Sequence, residues 1–514
     1  GGFCMLSYRK LAMRVPGRPL HTGGNDSPRP ASQRAAAFAL TAAMLITLTA
    51  PAFAETWYIE NGDITVKASG TEGKNTVSQG NKKDVEDTNT IITNQETDTA
   101  SSNTVTIDAG NDKVEVTLDN VNIKADSGSA LTSKGDVTLT LKGDNHLTGG
   151  ISDTGNYGRN GIASTGSLTI TGGENGSLTA QGGSGANGIS SSGSLTISGG
   201  TVTANGDDGG HGIYSNGSLT ISGGSTVTAN GGNGGNVSGD GICSNGGVTI
   251  SGGSTVTANG GNGGNVSGDG ISSNGSVTIS GGTVKAAGGD SKDGYGGDGI
   301  RSDGGVTISG NTVNAAGGSG GKVGGYGICS FDRVAISGGT VTANGGDGSS
   351  GGDGIRSGDI DLSGSLELTA KAGSPNGKAL SQRGNELDLD DIKDKLGPGA
   401  KVTTTDANGK VNQVSIPRPV ESEKPVIPEE SSSSSDGGSA TPSTPASPLP
   451  GLTVTDKSGA VISYTSTQSG NTLTVCVGRF TASFRISLAA LRQLRAEGID
   501  TITFQTILCS TTLS

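Results

Sequence analysis

The chain has 514 residues, of which 94 are Gly and 15 Pro, and only 30 % are hydrophobic and 3 % aromatic. This composition argues against a close-packed enzyme domain, and it predicts disorder unless the glycines recur at a fixed period, because a regular stack can bury small identical faces. The formal net charge of −12 also argues against nucleic acid as a partner.

The first 54 residues have the features of a secretory signal peptide. Arg34 precedes an apolar run from Ala35 to Leu48, and small residues stand at Ala52 and Ala54, where a signal peptidase would cleave. The run is shorter than the ~20 apolar residues of a membrane-spanning helix, and we find no other candidate span. We therefore expect residues 1–54 to be a leader. The remainder, with a net charge of −17, should be secreted, extracellular or associated with the cell surface.

Residues 55–127 are poorer in Gly and alternate apolar with polar residues, as in Val114 to Leu118. The end of a stack of strands must be covered, because its unpaired edge would otherwise pair with another chain. We predict that this segment forms an N-terminal cap and the first irregular coils.

A repeat of 24 to 29 residues follows, and a Gly-Ile dipeptide marks each copy. Degenerate copies at Leu131 and Leu380 extend the series to about ten units. The marker isoleucines are Ile162, Ile189, Ile213, Ile242, Ile271, Ile300, Ile328 and Ile355. Prolines are absent between Pro51 and Pro375, so every backbone N–H of the repeats can join a hydrogen-bond ladder.

Each repeat contains three short runs of alternating apolar and polar residues, separated by turns. In one copy Ile242, Val248 and Val256 point to one side, and no run approaches helical length. Three strands per unit predict one triangular coil of a parallel β-helix, with right-handed winding. We expect an all-β, right-handed parallel β-helix of about ten coils over residues 128–400. A leucine-rich repeat lacks its consensus here, and a calcium-binding nonapeptide roll matches weakly, since Ser350 stands where that motif has Asp.

Glycine pairs after the second run predict corners with positive φ. The serine two places after each marker, for example Ser244 or Ser273, should face inward. We predict a ladder in which each hydroxyl satisfies the next.

Two further segments follow the repeats. Residues 401–450 contain a five-serine run and many prolines, which predicts an extended linker. Residues 451–514 predict a small α+β module, with a helix that Ser487 caps and Gly498 ends. This module could be truncated, and it could contact cell-surface components.

The cysteines predict little cross-linking. Cys243 and Cys329 occupy the same repeat position three coils apart, roughly 14 Å at a ~4.8 Å rise, which is beyond disulfide reach. Cys476 and Cys509 lie in strand-like runs and could pair in an oxidising exterior, but their spacing leaves this open.

The coil pattern resembles a known family, the secreted carbohydrate-binding β-helix proteins of Gram-positive anaerobic bacteria. The resemblance covers about residues 114–380. It is carried by Val116-Thr-Leu-Asp-Asn-Val-Asn-Ile123, by Val137-Thr-Leu-Thr-Leu-Lys-Gly-Asp-Asn-His-Leu147 and by the repeated Gly-Ile-x-Ser with Leu/Val-Thr-Ile-Ser-Gly-Gly. It implies a non-catalytic solenoid that holds calcium and binds acidic or plant-type polysaccharide.

Aspartates recur beside the markers and are candidate calcium ligands. Stacked carboxylates about 4.8 Å apart repel one another, and a hard cation with oxygen ligands would relieve this. The candidates, four directly before a Gly-Ile marker and two in the preceding loops, are Asp240, Asp269, Asp298, Asp353, Asp290 and Asp293. The alternative is that Asp-Gly is simply a good turn dipeptide with solvated carboxylates.

The position after each marker isoleucine faces outward in this scheme. It carries Tyr214, Arg301 and Arg356, which could stack on a sugar ring and pair with sugar carboxylates. Tyr157, Tyr295 and Tyr326 are expected in adjoining loops. The alternative is that these are ordinary surface residues.

The sequence leaves three functions open. The preferred one is calcium-dependent polysaccharide binding without catalysis; the others are a passive adhesin or spacer, and a polysaccharide lyase or hydrolase. An enzyme needs one unique constellation of acid, base and positioning groups, and near-identical coils dilute any such constellation.

Overall fold

The computed structural model describes residues 55–151 and 158–418, and shorter segments between 452 and 513. The chain divides into two compact units, residues 1–420 and 421–514. Within the described residues, no helix is long and apolar enough to cross a bilayer. The predicted leader and most of the predicted linker lie outside the described residues.

The first unit is an all-β parallel solenoid of about 12 turns, which confirms the predicted all-β parallel solenoid and corrects the expected number of about ten coils. Sequence counting falls short because the first turns and the last one lack the Gly-Ile marker. Each marker-bearing turn contributes strand residues to three faces, and each strand pairs in parallel with its equivalent one turn away, as Ile213, Ile242 and Ile271 do. We call these strands, in chain order, the first, second and third faces.

The first two faces belong to one sheet. First-face strands are Ile64–Ala68, Ile162–Ser164, Ile189–Ser191, Ile213–Ser215, Ile242–Ser244, Ile271–Ser273, Ile300–Ser302 and Leu380–Gln382. Second-face strands are Thr56–Tyr58, Thr90–Thr93, Leu168–Gly172, Leu195–Ile197, Leu219–Ile221, Val248–Ile250, Val277–Ile279 and Val306–Ile308. Four longer strands run across both faces: Val105–Asp119, Leu131–Lys142, Ile328–Ile336 and Ile355–Leu362.

The third face is a separate sheet of 12 strands. Its strands are Asn122–Lys124, Asp144–Thr148, Ser177–Gln181, Thr201–Asn205, Thr226–Asn230, Thr255–Asn259, Thr283–Ala287, Asn311–Ala316, Gly339–Asn344, Leu366–Lys371, Lys401–Thr405 and Val411–Ser415. The last two continue the solenoid beyond residue 400, where the sequence predicts a linker. Lys401–Thr405 pairs in parallel with Leu366–Lys371, because Val402 supplies the same inward apolar residue as Leu368.

Antiparallel pairs close both ends of the stack. Asn75–Gln79 folds back on the strand at Ile64–Ala68, and Lys82–Asp87 folds back in turn on Asn75–Gln79. A short 3₁₀ helix at Ile59–Asn61 precedes them. At the other end Val411–Ser415 folds back on Lys401–Thr405. Asn385–Glu386 and the 3₁₀ helix Asp390–Lys395 complete that end. Antiparallel returns of this kind stop a parallel stack from offering an open edge.

The core is one continuous column of Ile, Val, Leu and Ala side chains. Ile242, Val248, Ile250, Val256 and Ala258 of a single turn are all fully buried, as the alternation predicts. Each full burial of such a side chain stabilises by about 1.5–3 kcal/mol, so the repeated small faces compensate for the low hydrophobic content.

The inward serines differ from the prediction in their partners. They are buried, but from Ser191 to Ser330 their hydroxyls donate to glycine carbonyls of the preceding turn: Ser244 Oγ to Gly217 O at 3.0 Å, and Ser273 Oγ to Gly246 O at 2.8 Å. The turn that follows the strand exposes these carbonyls on the inside of the coil. The serine hydroxyl therefore donates to a carbonyl oxygen and not to the equivalent serine of the neighbouring turn.

Glycines have two separate roles. Gly252 and Gly253 adopt φ of +64° and +75°, as predicted for a corner. Gly268, in contrast, lies directly over Gly239 of the preceding turn, and a Cβ there would overlap the Gly239 carbonyl oxygen. Close stacking of backbone, and not unusual torsion, accounts for the glycines of these loops.

The second unit is described in part. Leu452–Thr455 pairs with Ser483–Ile486, and a four-stranded sheet contains Thr465–Ser469, Thr472–Cys476, Thr501–Gln505 and Ser510–Leu513. Leu494 and Arg495 are helical, but most of the predicted helix lies outside the described residues, as does Cys509. The possible pairing of Cys476 with Cys509 therefore stays a prediction.

Candidate functional site

The outward column of the first face brings together two of the three predicted contact residues. Arg301, Cys329 and Arg356 are register neighbours on successive turns, so the two arginines are two turns apart, roughly 10 Å at ~4.8 Å per turn. Tyr214 belongs to the same column but lies three turns before Arg301. The column is not uniformly exposed, since Cys329 is 5 % exposed.

Each arginine lies over an aromatic ring. The Arg301 guanidinium carbon is 5.5 Å from the centre of the Phe331 ring, and that of Arg356 is 5.0 Å from the centre of the Tyr326 ring. Arg356 Nη1 also donates to the Tyr326 hydroxyl at 2.6 Å. Phe331 is 63 % exposed, so the cluster presents both apolar ring surface and cationic donors to solvent.

Phe331 was not predicted. In the two preceding coils a turn with Gly follows the inward serine, whereas here the strand runs on from Ile328 to Ile336 and carries Phe331 outward. The replacement of that turn by Phe331-Asp332-Arg333 was a signal available in the sequence.

Tyr214 is held by its neighbours. Its ring stacks on that of His211 with centres 5.7 Å apart and planes 21° apart, and its hydroxyl accepts a hydrogen bond from Asn245 Nδ2 at 2.9 Å. The side chain is half-buried, so it presents less free ring surface than expected. Among the adjoining tyrosines, Tyr295 is 51 % exposed with Lys322 Nζ 5.9 Å from its ring centre, and Tyr157 lies outside the described residues.

The stacked aspartates form a ladder along the solenoid. Asp240 Oδ1 accepts the backbone amide of Asp269 at 2.7 Å, and Asp269 Oδ1 accepts that of Asp298 at 2.7 Å. Asp298 Oδ1 accepts the amide of Tyr326 at 2.7 Å. These carboxylates are therefore not solvated turn residues, and Oδ1 of each is occupied by a hydrogen bond.

Burial is the main cause of the raised pKa values of the aspartates in this ladder. It raises the pKa of Asp240 to about 6 and that of Asp269 to about 7, and the neighbouring carboxylates add to the rise. The pKa of Asp298 is raised well above its usual range by burial and by Asp269. Arg301 opposes these shifts but does not cancel them. The ladder is thus a line of buried carboxylates whose negative charge Arg301 compensates only in part.

Of the other three predicted calcium ligands, Asp353 and Asp290 also accept a backbone amide from the next turn. Asp353 is buried, accepts the Lys378 amide at 2.8 Å, and places Oδ2 3.8 Å from Arg356 Nη1. Asp290 and Asp293 are exposed, and Asp290 Oδ1 accepts the Ser319 amide at 2.7 Å.

One group of three potential metal ligands converges within the described part of the chain. It consists of His211, Asp240 and Cys243, whose ligand atoms all lie within 4.8 Å of one another. The group contains one of the six predicted aspartates. His211 was missed, although it interrupts a sequence position that holds Asn187, Asp240 and Asp269 in neighbouring repeats.

Comparison with known proteins gives one result. A sequence model of the family described as carbohydrate-binding domain-containing protein matches residues 97–354, which is half of the chain. This segment includes Arg301, Tyr326 and Phe331, and it ends two residues before Arg356. No curated protein and no solved structure matches the chain.

Proposed function

Because the chain belongs to the carbohydrate-binding domain-containing family, we propose that it is a non-catalytic protein that binds an acidic, uronate-containing polysaccharide along the first face of its solenoid. The observation that carries the proposal is the pair of arginine–aromatic contacts, Arg301 with Phe331 and Arg356 with Tyr326. We name these four residues the arginine–aromatic cluster.

The cluster has the two chemistries that an acidic sugar needs. An exposed aromatic face packs against the apolar C–H face of a sugar ring, and a guanidinium pairs with a carboxylate through two parallel hydrogen bonds. Because Arg301 and Arg356 repeat along the solenoid axis, they would contact carboxylates on different units of one polymer. A polymer therefore gains from both arginines, whereas a monosaccharide meets one.

Overall charge opposes this binding. The chain is acidic, and Asp269, Asp298 and Asp353 lie beneath the cluster. Like-charge repulsion would weaken the approach of a polyanion. Calcium dependence, predicted from the sequence, would relieve this repulsion, since a cation held by the aspartates reverses the local sign. It stays part of the proposal, as do export through the leader and contacts of residues 451–514 with the cell surface.

A pull-down on immobilised polygalacturonate tests the proposal. We expect retention of the wild-type protein, and a loss of about tenfold or more in affinity for the R301Q/R356Q double variant, because both carboxylate partners are removed. Phe331→Leu should weaken retention less. Incubation with soluble pectate should release no unsaturated oligosaccharides, as expected for a protein that binds without cleaving.

The matched control is Arg333→Gln. Arg333 comes from the turn that contains Cys329 but pairs with Asp361 and Asp359 of the next turn, outside the cluster. It should leave retention unchanged. If R333Q and R301Q/R356Q lost retention equally, net charge alone would explain the loss, and the cluster would have no specific role. Retention of neutral glycans alone would overturn the acidic ligand, and product release from pectate would overturn the non-catalytic role.

A further inference from the structure

His211, Asp240 and Cys243 meet on two adjacent turns, and Cys243 lies two turns before Arg301 in the same column. We infer that these three side chains, the His–Asp–Cys cluster, bind a transition-metal ion of the zinc type through three protein ligands. A fourth position would be left to water or to another ligand. This inference does not rest on the proposed polysaccharide binding.

The distances suit a tetrahedral ion. His211 Nδ1 lies 3.5 Å from Asp240 Oδ2. Around a tetrahedral zinc ion with bonds of about 2.0–2.1 Å, neighbouring N and O ligands are about 3.4 Å apart. The Cys243 sulfur also lies within 4.8 Å of the ligand atoms of His211 and Asp240. An ion could therefore enter with small side-chain movements.

The histidine is in the protonation state that a metal requires. Burial lowers the pKa of His211, so its ring is neutral at neutral pH. The Asp240 amide donates to Nδ1 at 2.9 Å, which places the ring proton on Nε2. Metal binding would exchange this hydrogen bond for a bond from Nδ1 to the ion. Tyr214, stacked on the ring, limits its rotation.

The ligand types select the metal. Calcium takes six to eight oxygen ligands, whereas imidazole and thiolate favour zinc and its chemical relatives. The pKa of Cys243 is raised to about 12 by burial and by Asp240, so the free protein carries a thiol. Binding forms the metal–sulfur bond and releases the thiol proton to solvent.

Titration of the reduced full-length protein with Co²⁺ tests the inference, because a cobalt–thiolate bond gives a near-ultraviolet charge-transfer band. We expect one equivalent of Co²⁺ to develop the band and Zn²⁺ to displace it. Two variants remove ligands with substitutions that the solenoid already uses. Cys243→Ser introduces the residue found at Ser190 and Ser272 in the same column. His211→Asn introduces the residue that at Asn187 accepts the next turn's amide.

The band should vanish in C243S, and affinity should fall at least tenfold in H211N. Cys329→Ser is the control, because Cys329 is in the same column but its neighbours there are Arg301 and Arg356. It should leave the titration unchanged. A band that survives in C243S, a band lost equally in C329S, or a wild-type protein without stoichiometric binding would overturn the inference.

Discussion

Asp240 accepts the backbone amide of Asp269, one turn further along the solenoid, at 2.7 Å. Asp269 repeats the relationship with Asp298, and Asn187 makes the same bond to the amide of His211. The side chain thus supplies the acceptor for an amide two residues before the next turn's first-face strand. Asn makes the same hydrogen bond without a charge. An Asp→Asn substitution at these positions therefore removes the charge and keeps the hydrogen bond.

Asp269→Asn should therefore stabilise the solenoid at alkaline pH. An unfolded Asp ionises near pH 3.9, whereas burial raises the pKa of folded Asp269 to about 7. Between these values the unfolded chain loses its proton first, so the stability that Asp269 contributes is full below about pH 4 and lost as pH rises through about 7. Urea midpoints at pH 5 and pH 8 should differ less in D269N than in the wild type.

Asp290→Asn is the control for that experiment. Asp290 makes the equivalent bond to Ser319 at 2.7 Å but is exposed. Its substitution should shift both midpoints alike. A steeper loss of stability with pH in D269N would contradict the burial argument.

Alternation on the third face predicts opposite tolerance at neighbouring residues. Val284 is 1 % exposed and packs in the core, whereas Thr283 is exposed. Val284→Asp should cost several kcal/mol in the free energy of unfolding, because it buries an unpaired carboxylate, and Thr283→Asp should stay within about 0.5 kcal/mol. Thermal melting of the two variants checks this, and similar melting temperatures would mean that the inward and outward assignment is wrong.

Backbone stacking predicts that loop glycines differ in tolerance. At Gly268 a Cβ would overlap the Gly239 carbonyl oxygen, and backbone cannot move aside cheaply. At Gly235 a Cβ would meet nothing within 4 Å. Gly268→Ala should lower the melting temperature by several degrees, whereas Gly235→Ala should leave it unchanged or slightly higher, since Ala restricts the unfolded chain. The reverse order would refute the stacking explanation.

Calcium removal should reduce binding to polygalacturonate if the aspartate ladder holds the cation. Chelation should abolish retention, and added calcium, but not added zinc, should restore it. The D240N/D269N/D298N variant keeps the ladder hydrogen bonds but should lose the calcium response. Retention that ignores chelator would remove calcium from the proposal and leave the arginine–aromatic cluster to bind alone.

The sequence by itself determined the architecture. The marker spacing and the two-residue alternation around residues such as Ile242 and Val256 predict three strands per turn and their inward faces, because a local period fixes which side chains can share a core. The repeat spacing also predicted that Cys243 and Cys329 are too far apart to pair, and the structure confirms that neither forms a disulfide. The end of the solenoid was misplaced, because the strands after residue 400 lack the marker.

Only the tertiary structure decided what the repeated positions do. Sequence spacing stacks Asp240 on Asp269, but whether a carboxylate is solvated, binds a cation or accepts an amide depends on the path of the loop in the next turn. The same holds for Phe331 beneath Arg301 and for His211 beside Cys243. Neighbours across turns are 29 to 31 residues apart in the chain in these contacts, so their side-chain contacts depend on coil geometry that no local pattern specifies.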